Sequence, residues 1–474
     1  MHRQMHCGLD GRTRGPSTLG ADGPGSHEEL RRGTVLIVTM WVVLILAALV
    51  LVFARSMRVE LLASANQLAS AQAECVAQGA LAFVIAQVDG TDGTRRPDAD
   101  VSCEAVPVGD GYFWLLRPDP EDDTTCRFGI ADEAAKVNLN ASTKEMLLGL
   151  PSMTDEFASA ILDWRSPDPT VSTGGAKSEY YLLLPDPYNC KSGPFETVEE
   201  LLLVKDASTA ILFGEDTNRN GVLDPNENDG DDNFPPDNRD GRLDRGIYDF
   251  VTVHSAEPNS SLTGQQRINI NSTNTRELSG LLRDTVASSR QFSVLDLVRR
   301  GRPFRNVLDF YFRTGLTIAE FRQIADRLTT VSEGRQPGLV NVNTAPRPVL
   351  SCLPGLEPGD VDALLAKRSA SNADLTSIAW VAEALPREKA VAIGGNLTVR
   401  SFQFSADIAA VSGNGRAFRR YRAVLDAGSS PPRVLSWQDL TALGWPLGPE
   451  ILAAMRTGNP PPVTGVASSK GGSS

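Results

Sequence analysis

Apolar positions are unevenly spread along the chain, and their densest run is TVLIVTMWVVLILAALVLVFA, residues 34–54, which carries no charge. At about 1.5 Å of rise per residue it spans the roughly 30 Å hydrocarbon core of a bilayer. Arg31, Arg32 and Gly33 stand before it, and Arg55 and Arg58 follow. The run is longer than the apolar region of a secretory signal, and no A-x-A-like site follows it, so it reads as a retained membrane helix. Further on, Leu61, Ala65, Leu68, Cys75, Gly79, Phe83 and Ala86 recur mostly at three- and four-residue steps with no proline between them. That period predicts one helix running on to residue 88, in lipid first and then laid on a soluble domain by one apolar stripe.

After the turn-rich VDGTDGTRRPDAD the period changes to two. Residues 103–108, 112–117 and 125–131 alternate as short strands, a small antiparallel sheet set against the long helix. Residues 397–426 alternate again as a hairpin around Gly413-Asn414-Gly415, with an edge at 434–440. Between these strand regions the pattern is helical, and it repeats. VNLNASTKEMLLGLPSMTDEFASAILDWR (137–165) aligns without a gap with VNVNTAPRPVLSCLPGLEPGDVDALLAKR (340–368), and ININSTNTRELSGLL (268–282) is a partial third copy. Each full copy predicts a helical hairpin whose asparagines cap or bridge its start, with Leu-Pro at the inter-helix turn. Residues 284–330 add two or three helices. The class is α+β.

Composition narrows the functions available. The net charge of −12 disfavours a nucleic-acid surface. The four histidines are scattered at His2, His6, His27 and His254, which leaves no histidine-based catalytic cluster and no convergent catalytic set; the chain does not read as an enzyme. Six cysteines show no zinc-type spacing. If the head is extracytoplasmic, Cys103 and Cys126, which flank a strand-like pair, are candidates for a disulfide.

One acidic segment carries distinct chemistry. Asp216, Asn218, Asn220 and Asp224 put oxygen side chains at the first, third, fifth and ninth places of a twelve-residue calcium loop. Gly221 falls at the sharp turn, Val222 offers its carbonyl, and Glu227 closes the loop with two oxygens. Ca²⁺ needs six to eight oxygens at such spacing, and the expected role is structural. Asn238, Asp240 and Asp244 imitate the middle of a second loop, but Pro236 and Ile247 stand at its first and last places, where Asp237 or Asp249 would have to substitute.

The hairpins admit a rival reading, since helix–hairpin–helix units bind DNA phosphates through backbone amides. Around the second copy Arg347, Lys367 and Arg368 face Glu357, Asp360 and Asp362. With no positive surplus there is no electrostatic basis for phosphate affinity.

The Arg-Arg-Gly junction resembles the prepilin and pseudopilin signal, which implies cleavage between Gly33 and Thr34 by prepilin peptidase with the apolar helix retained. Together with DEAAKVNLN (132–140), ILDWRSPD, Tyr180-Tyr181, ETVEELLLVKD (196–206) and VNVNTAPRPVLSCLPGL, the chain resembles the type II secretion minor pseudopilin K family. Most pilins carry Glu at the fifth mature position; here it is Val38, and the K family characteristically lacks that Glu. The resemblance implies a pilin-like long helix packed on a small antiparallel sheet, with a large helical domain inserted in it. The chain accordingly reads as a leader at 1–33, the membrane helix at 34–54, the pilin-like helix and first strands at 55–136, the insert at 137–396, closing strands at 397–447 and a disordered tail at 448–474, where the composition after Pro460 is that of a disordered chain. The resemblance further implies calcium in the insert, and assembly with the I- and J-type minor pseudopilins and the major pseudopilin. The protein would be held in the inner membrane by a single pass, with a periplasmic head. A minor pilin of a related fibre, for adhesion or DNA uptake, is the alternative.

Overall fold

The computed structural model describes residues 27–94, 103–230 and 232–463. The expected leader, with Cys7, lies largely outside them. The chain divides into two compact units, residues 1–66 and 67–474. A single helix, α1, runs through His27–Val88, so the expected junction Gly33–Thr34 falls inside it. In the first unit every residue from Thr34 to Ser64 is exposed. A helix that shows Leu36, Val43 and Leu51 to its surroundings on all sides suits an apolar solvent. Among the described residues it is the one helix long and apolar enough to cross a membrane.

The second unit builds on the later part of α1. Ala69, Ala73, Val76, Ala77, Ala80, Val84 and Val88 are buried, and those from Val76 onward pack in one cluster with Phe113, Leu115, Ile408, Ala410 and Ala423. The expected stripe is therefore rotated: Leu68, Cys75 and Ala86 are exposed, while Gly79 and Phe83 are half-buried. The cause is the close approach of helix to sheet. A Cβ at Gly79 would lie 3.0 Å from Val108 Cγ1, so small residues take the contact line and Phe83 reaches round to Phe113 edge-on at 5.4 Å.

The sheet has seven strands: β1 (Val106–Val108), β2 (Gly111–Asp119), β3 (Asp122–Phe128), β4 (Ala131–Asp132), β5 (Gln403–Val411), β6 (Phe418–Asp426) and β7 (Arg433–Asp439). Their order is β1-β2-β5-β6-β7, with β3 also on β2 and β4 also on β5. All pairings are antiparallel. The period-two pattern thus yields the sheet, with the first strand starting at Val106 rather than at Cys103. On its other face Trp114, Leu116, Ala409 and Val411 are covered by the helix Pro449–Arg456 through Ile451 and Met455. That segment is not the disordered tail expected from the sequence: Pro449 opens the helix, and an apolar i,i+4 pair finds a sheet face to cover. Cys126 is a thiol, so the expected disulfide with Cys103 is not formed. Cys103 packs in the helix-side cluster and Cys126 beside the cluster on the opposite face.

The insert contains three copies of one frame, not two and a fragment. In each, V/I-N-x-N pairs in parallel with a two-residue strand far along the chain: Val137–Asn138 with Val251–Thr252, Ile268–Asn269 with Leu328–Thr329, and Val340–Asn341 with Leu397–Thr398. The first asparagine accepts from the backbone N–H two residues on, at 2.8, 2.9 and 3.0 Å. Its amide donates to a serine hydroxyl, Ser255, Ser332 or Ser401, at 3.0, 3.1 and 2.6 Å. Leu397–Thr398 therefore closes the third unit and is not part of the sheet hairpin. The expected hairpins are present, as in Lys144–Leu148 with Asp155–Arg165 and Arg347–Ser351 with Pro358–Ser369. Their turns place Ser152 and Gly355 in the left-handed region, at φ +53° and +73°.

Candidate functional site

The first repeat unit of the insert, which opens at Val137–Asn138 and closes at Val251–Thr252, holds the acidic segment between its hairpin and its closing strand. Asp216–Glu227 folds into a tight loop in which Asp216, Asn220 and Glu227 are buried. Asn220 N–H donates to Asp216 Oδ1 at 3.1 Å and to Asn218 Oδ1 at 2.9 Å, Gly221 N–H to Asp216 Oδ2 at 2.9 Å, and Val222 N–H to Asn220 Oδ1 at 2.7 Å. The chain turns through left-handed Arg219 and Gly221, at φ +56° and +72°. A Cβ on Gly221 would meet Pro118 at 2.6 Å, so the position needs glycine twice over. Asp224 and Glu227 cap each other reciprocally across the short helix Pro225–Glu227. The six expected donors therefore belong to one closed loop.

Its electrostatics are unbalanced. Burial, with Asp249 and Glu227 nearby, pushes the Asp216 carboxyl up to about 7. Burial and Asp224 likewise raise Glu227. Crowded, desolvated carboxylates of this kind are stabilised by a cation among them. Among the described residues no group of three acidic, histidine or cysteine side chains that could hold a metal occurs. The donor set of this loop instead mixes three carboxylates with two asparagines and a carbonyl, the hard-oxygen mixture that suits Ca²⁺.

The second segment follows the same course. Asp240 N–H donates to Asn238 Oδ1 at 2.8 Å and Arg242 N–H to Asp240 Oδ1 at 2.9 Å, with Arg239 and Gly241 at φ +55° and +75°. Of the two suggested substitutes, Asp237 lies in this segment, its Oδ1 accepting from Arg239 N–H at 2.8 Å. Asp237 accepts from Asp229 N–H and Gly230 N–H at 2.8 and 2.7 Å, and Asp249 acts on Asp216. The added carboxylate is Glu215, which accepts from Asp244 N–H at 3.2 Å and is raised by burial beside Asp244 and Asp237. Its only sequence signal is its place directly before Asp216.

Two neighbouring carboxylates fasten the insert to the sheet. Asp132 Oδ2 accepts from Ser401 and Thr344 hydroxyls at 2.5 Å each and from Asn341 Nδ2 at 3.1 Å, all from the third unit. Glu133 accepts from Lys136 Nζ and Ser405 Oγ at 2.6 Å each and from the Thr252 hydroxyl of the first unit. Burial opposes its ionisation, but Lys136 and Arg422 hold its carboxyl down at about 2. Sequence reasoning missed the first two closing strands and assigned the third, Leu397–Thr398, to the sheet hairpin. The signal was available in T-V-H-S, T-T-V-S and T-V-R-S, at 252–255, 329–332 and 398–401.

Basic side chains at the hairpin turns are spent on acids. Lys144 pairs with Asp155, Arg347 with Asp362, and Lys389 with Glu357 and Asp360. The arginines that end the two full hairpins, Arg165 and Arg368, donate inward to backbone carbonyls of their own unit.

Comparison with known proteins bears on these same units. Family models described as type II secretion system (T2SS), protein K, match residues 133–212 and residues 340–397. The first match holds the opening of the first unit and the second match nearly the whole third unit; neither reaches the middle one. Among curated proteins none matches. The solved GspK-GspI-GspJ complex from the enterotoxigenic Escherichia coli type 2 secretion system contains a chain similar to this one over 81% of this chain and 98% of that chain. That likeness has 13% identity and a TM-score of 0.35, too distant to bear on detail. The chain thus carries two stretches, residues 133–212 and 340–397, similar to protein K of the type II secretion system.

Proposed function

We propose that this protein stands at the tip of the secretion pseudopilus, nucleating and capping its assembly for export of folded proteins across the outer membrane. The observation that carries the reading is α1. Its apolar stretch has no charge and no buried face of its own, so it needs lipid or neighbouring apolar helices. Val38 stands where a shaft subunit would carry Glu, which fits a subunit with nothing above it. The I- and J-type minor pseudopilins and the major pseudopilin are the partners proposed, with the head in the periplasm. The role is structural and not catalytic.

Ca²⁺ is proposed as a structural ion in the first loop, held by Asp216, Asn218, Asn220, the Val222 carbonyl, Asp224 and Glu227. When bound it would supply the positive charge that the buried carboxylates lack. The test of function is complementation in cells lacking the protein. The wild-type chain restores secretion and is found once per fibre end. Val38→Glu, which restores the shaft-type acid, spreads along the fibre. A wild-type chain found along the whole shaft would refute the tip position.

A further inference from the structure

We infer that Arg420 is a positioning residue that couples cation binding in the first loop to the docking of that loop on the sheet. The inference rests on the calcium reading above. Arg420 lies on β6 and is fully buried, at 0% exposure. One side of its guanidinium is held across the strands by Asp407 on β5, Nε to Oδ1 at 2.9 Å and Nη2 to Oδ2 at 2.7 Å. The other side leaves the sheet. Nη1 donates to the Asn218 carbonyl and Nη2 to the Arg219 carbonyl, the latter at 2.8 Å. These are the third and fourth places of the loop. Two successive carbonyls converge on one guanidinium because Arg219 adopts the left-handed conformation.

The loop is held elsewhere as well. Leu223 N–H donates to the Asp123 carbonyl at 2.8 Å, and Asn220 Nδ2 to the Pro446 carbonyl at 3.1 Å. Arg245 bridges the carbonyls of Asp122 and Gly221 at 3.0 and 2.7 Å. Arg420 differs from these in being the one fully buried, at 0% exposure, with Asn220 and Arg245 each retaining a little. If the loop opens, its guanidinium loses two charge-assisted hydrogen bonds to loop carbonyls, which sets a cost on opening. Closing the loop folds Asp216 onto the Asn220 and Gly221 N–H groups and Glu227 onto the Thr217 and Asp224 N–H groups, which gathers the proposed ligands in one turn. Closure and cation binding are therefore linked, and by thermodynamic reciprocity each strengthens the other. Lysine can keep the pairing with Asp407, but a single ammonium cannot serve both carbonyls in the fork that guanidinium provides.

The experiment uses the full chain in detergent. Calcium affinity is measured by titration calorimetry, and melting is followed in Ca²⁺ and in EGTA. Wild type, Arg420→Lys and Glu227→Gln are compared. The expected results are a calcium-raised Tm in wild type and its loss in Glu227→Gln. Arg420→Lys should bind Ca²⁺ roughly tenfold more weakly, with a calcium shift smaller than that of wild type, so that its Tm falls further in Ca²⁺ than in EGTA. Equal affinity, or the same fall in Tm with and without calcium, overturns the coupling alone. A wild-type chain without any calcium response overturns the calcium reading, and the coupling with it. If Arg420→Lys does not fold, Asp407→Asn with Arg420→Gln removes both buried charges together and is judged by the same readouts.

Discussion

Asp132 and Glu133 adjoin in the sequence, yet they hold different units of the insert by different means. Asp132 meets the third unit with neutral donors only, and desolvation raises its pKa despite them. Glu133 meets the first unit beside Lys136 and Arg422, whose charges overcome burial and hold it ionised. The lesson is that one repeated frame tolerates either a neutral or a charged fastening. What the frame requires is the asparagine turn, the two-residue strand pair and the closing serine.

The largest effect should come from the charged side of this comparison. Glu133→Gln strands Lys136, which is also buried, and should cost on the order of 3–5 kcal/mol by denaturant melting. The sign in pH follows from the depressed pKa: the contribution is present above the ordinary glutamate range, about 4.5, and is lost as pH falls towards about 2. Next is the frame itself. Asn341→Ala removes bonds to Ser401 and Asp132 in a buried setting and should cost about 2 kcal/mol; Asn269→Ala, whose serine bond is exposed, should cost about half that. Equal costs would mean that burial of the asparagine does not set how firmly each copy is held. Asp132→Asn should cost about 1–2 kcal/mol at neutral pH, since the amide removes a desolvated charge but keeps one acceptor oxygen where both carboxylate oxygens accept. A raised acid weakens the fold as pH climbs from its unfolded value through its folded one, so this variant should lack that slope. The smallest effect is at the hairpin turns. Gly355→Ser should cost about 1 kcal/mol and Ser152→Gly should gain a few tenths, because both positions are left-handed.

Much of this was legible in the sequence, for physical reasons. The apolar run of α1 reports its solvent directly, and the alternating strands with Gly413-Asn414-Gly415 report the hairpin. The V-N-x-N starts announce the repeat because an Asx turn is a local event. The closing strands were not legible, since two residues are too few to show a period. The buried face of α1 was misread because close packing selects alanine over leucine, so the larger residues mark the wrong side. The helix Pro449–Arg456 buries Ile451 and Met455 and packs Leu452 beside them, too sparse a signal beside a polar end. Cys103 and Cys126 flank a hairpin in sequence, but the sheet between them has two faces. In the acidic segment the first loop was readable position by position, whereas Glu215 joins the second only through the fold.

The claim on which the rest depends is that the uncharged stretch of α1 stays on the mature protein. Intact mass of the mature chain, taken from cells with and without prepilin peptidase, tests it directly. The expected chain begins at Thr34 only when the peptidase is present. A mature chain beginning beyond Ala54 would contradict it.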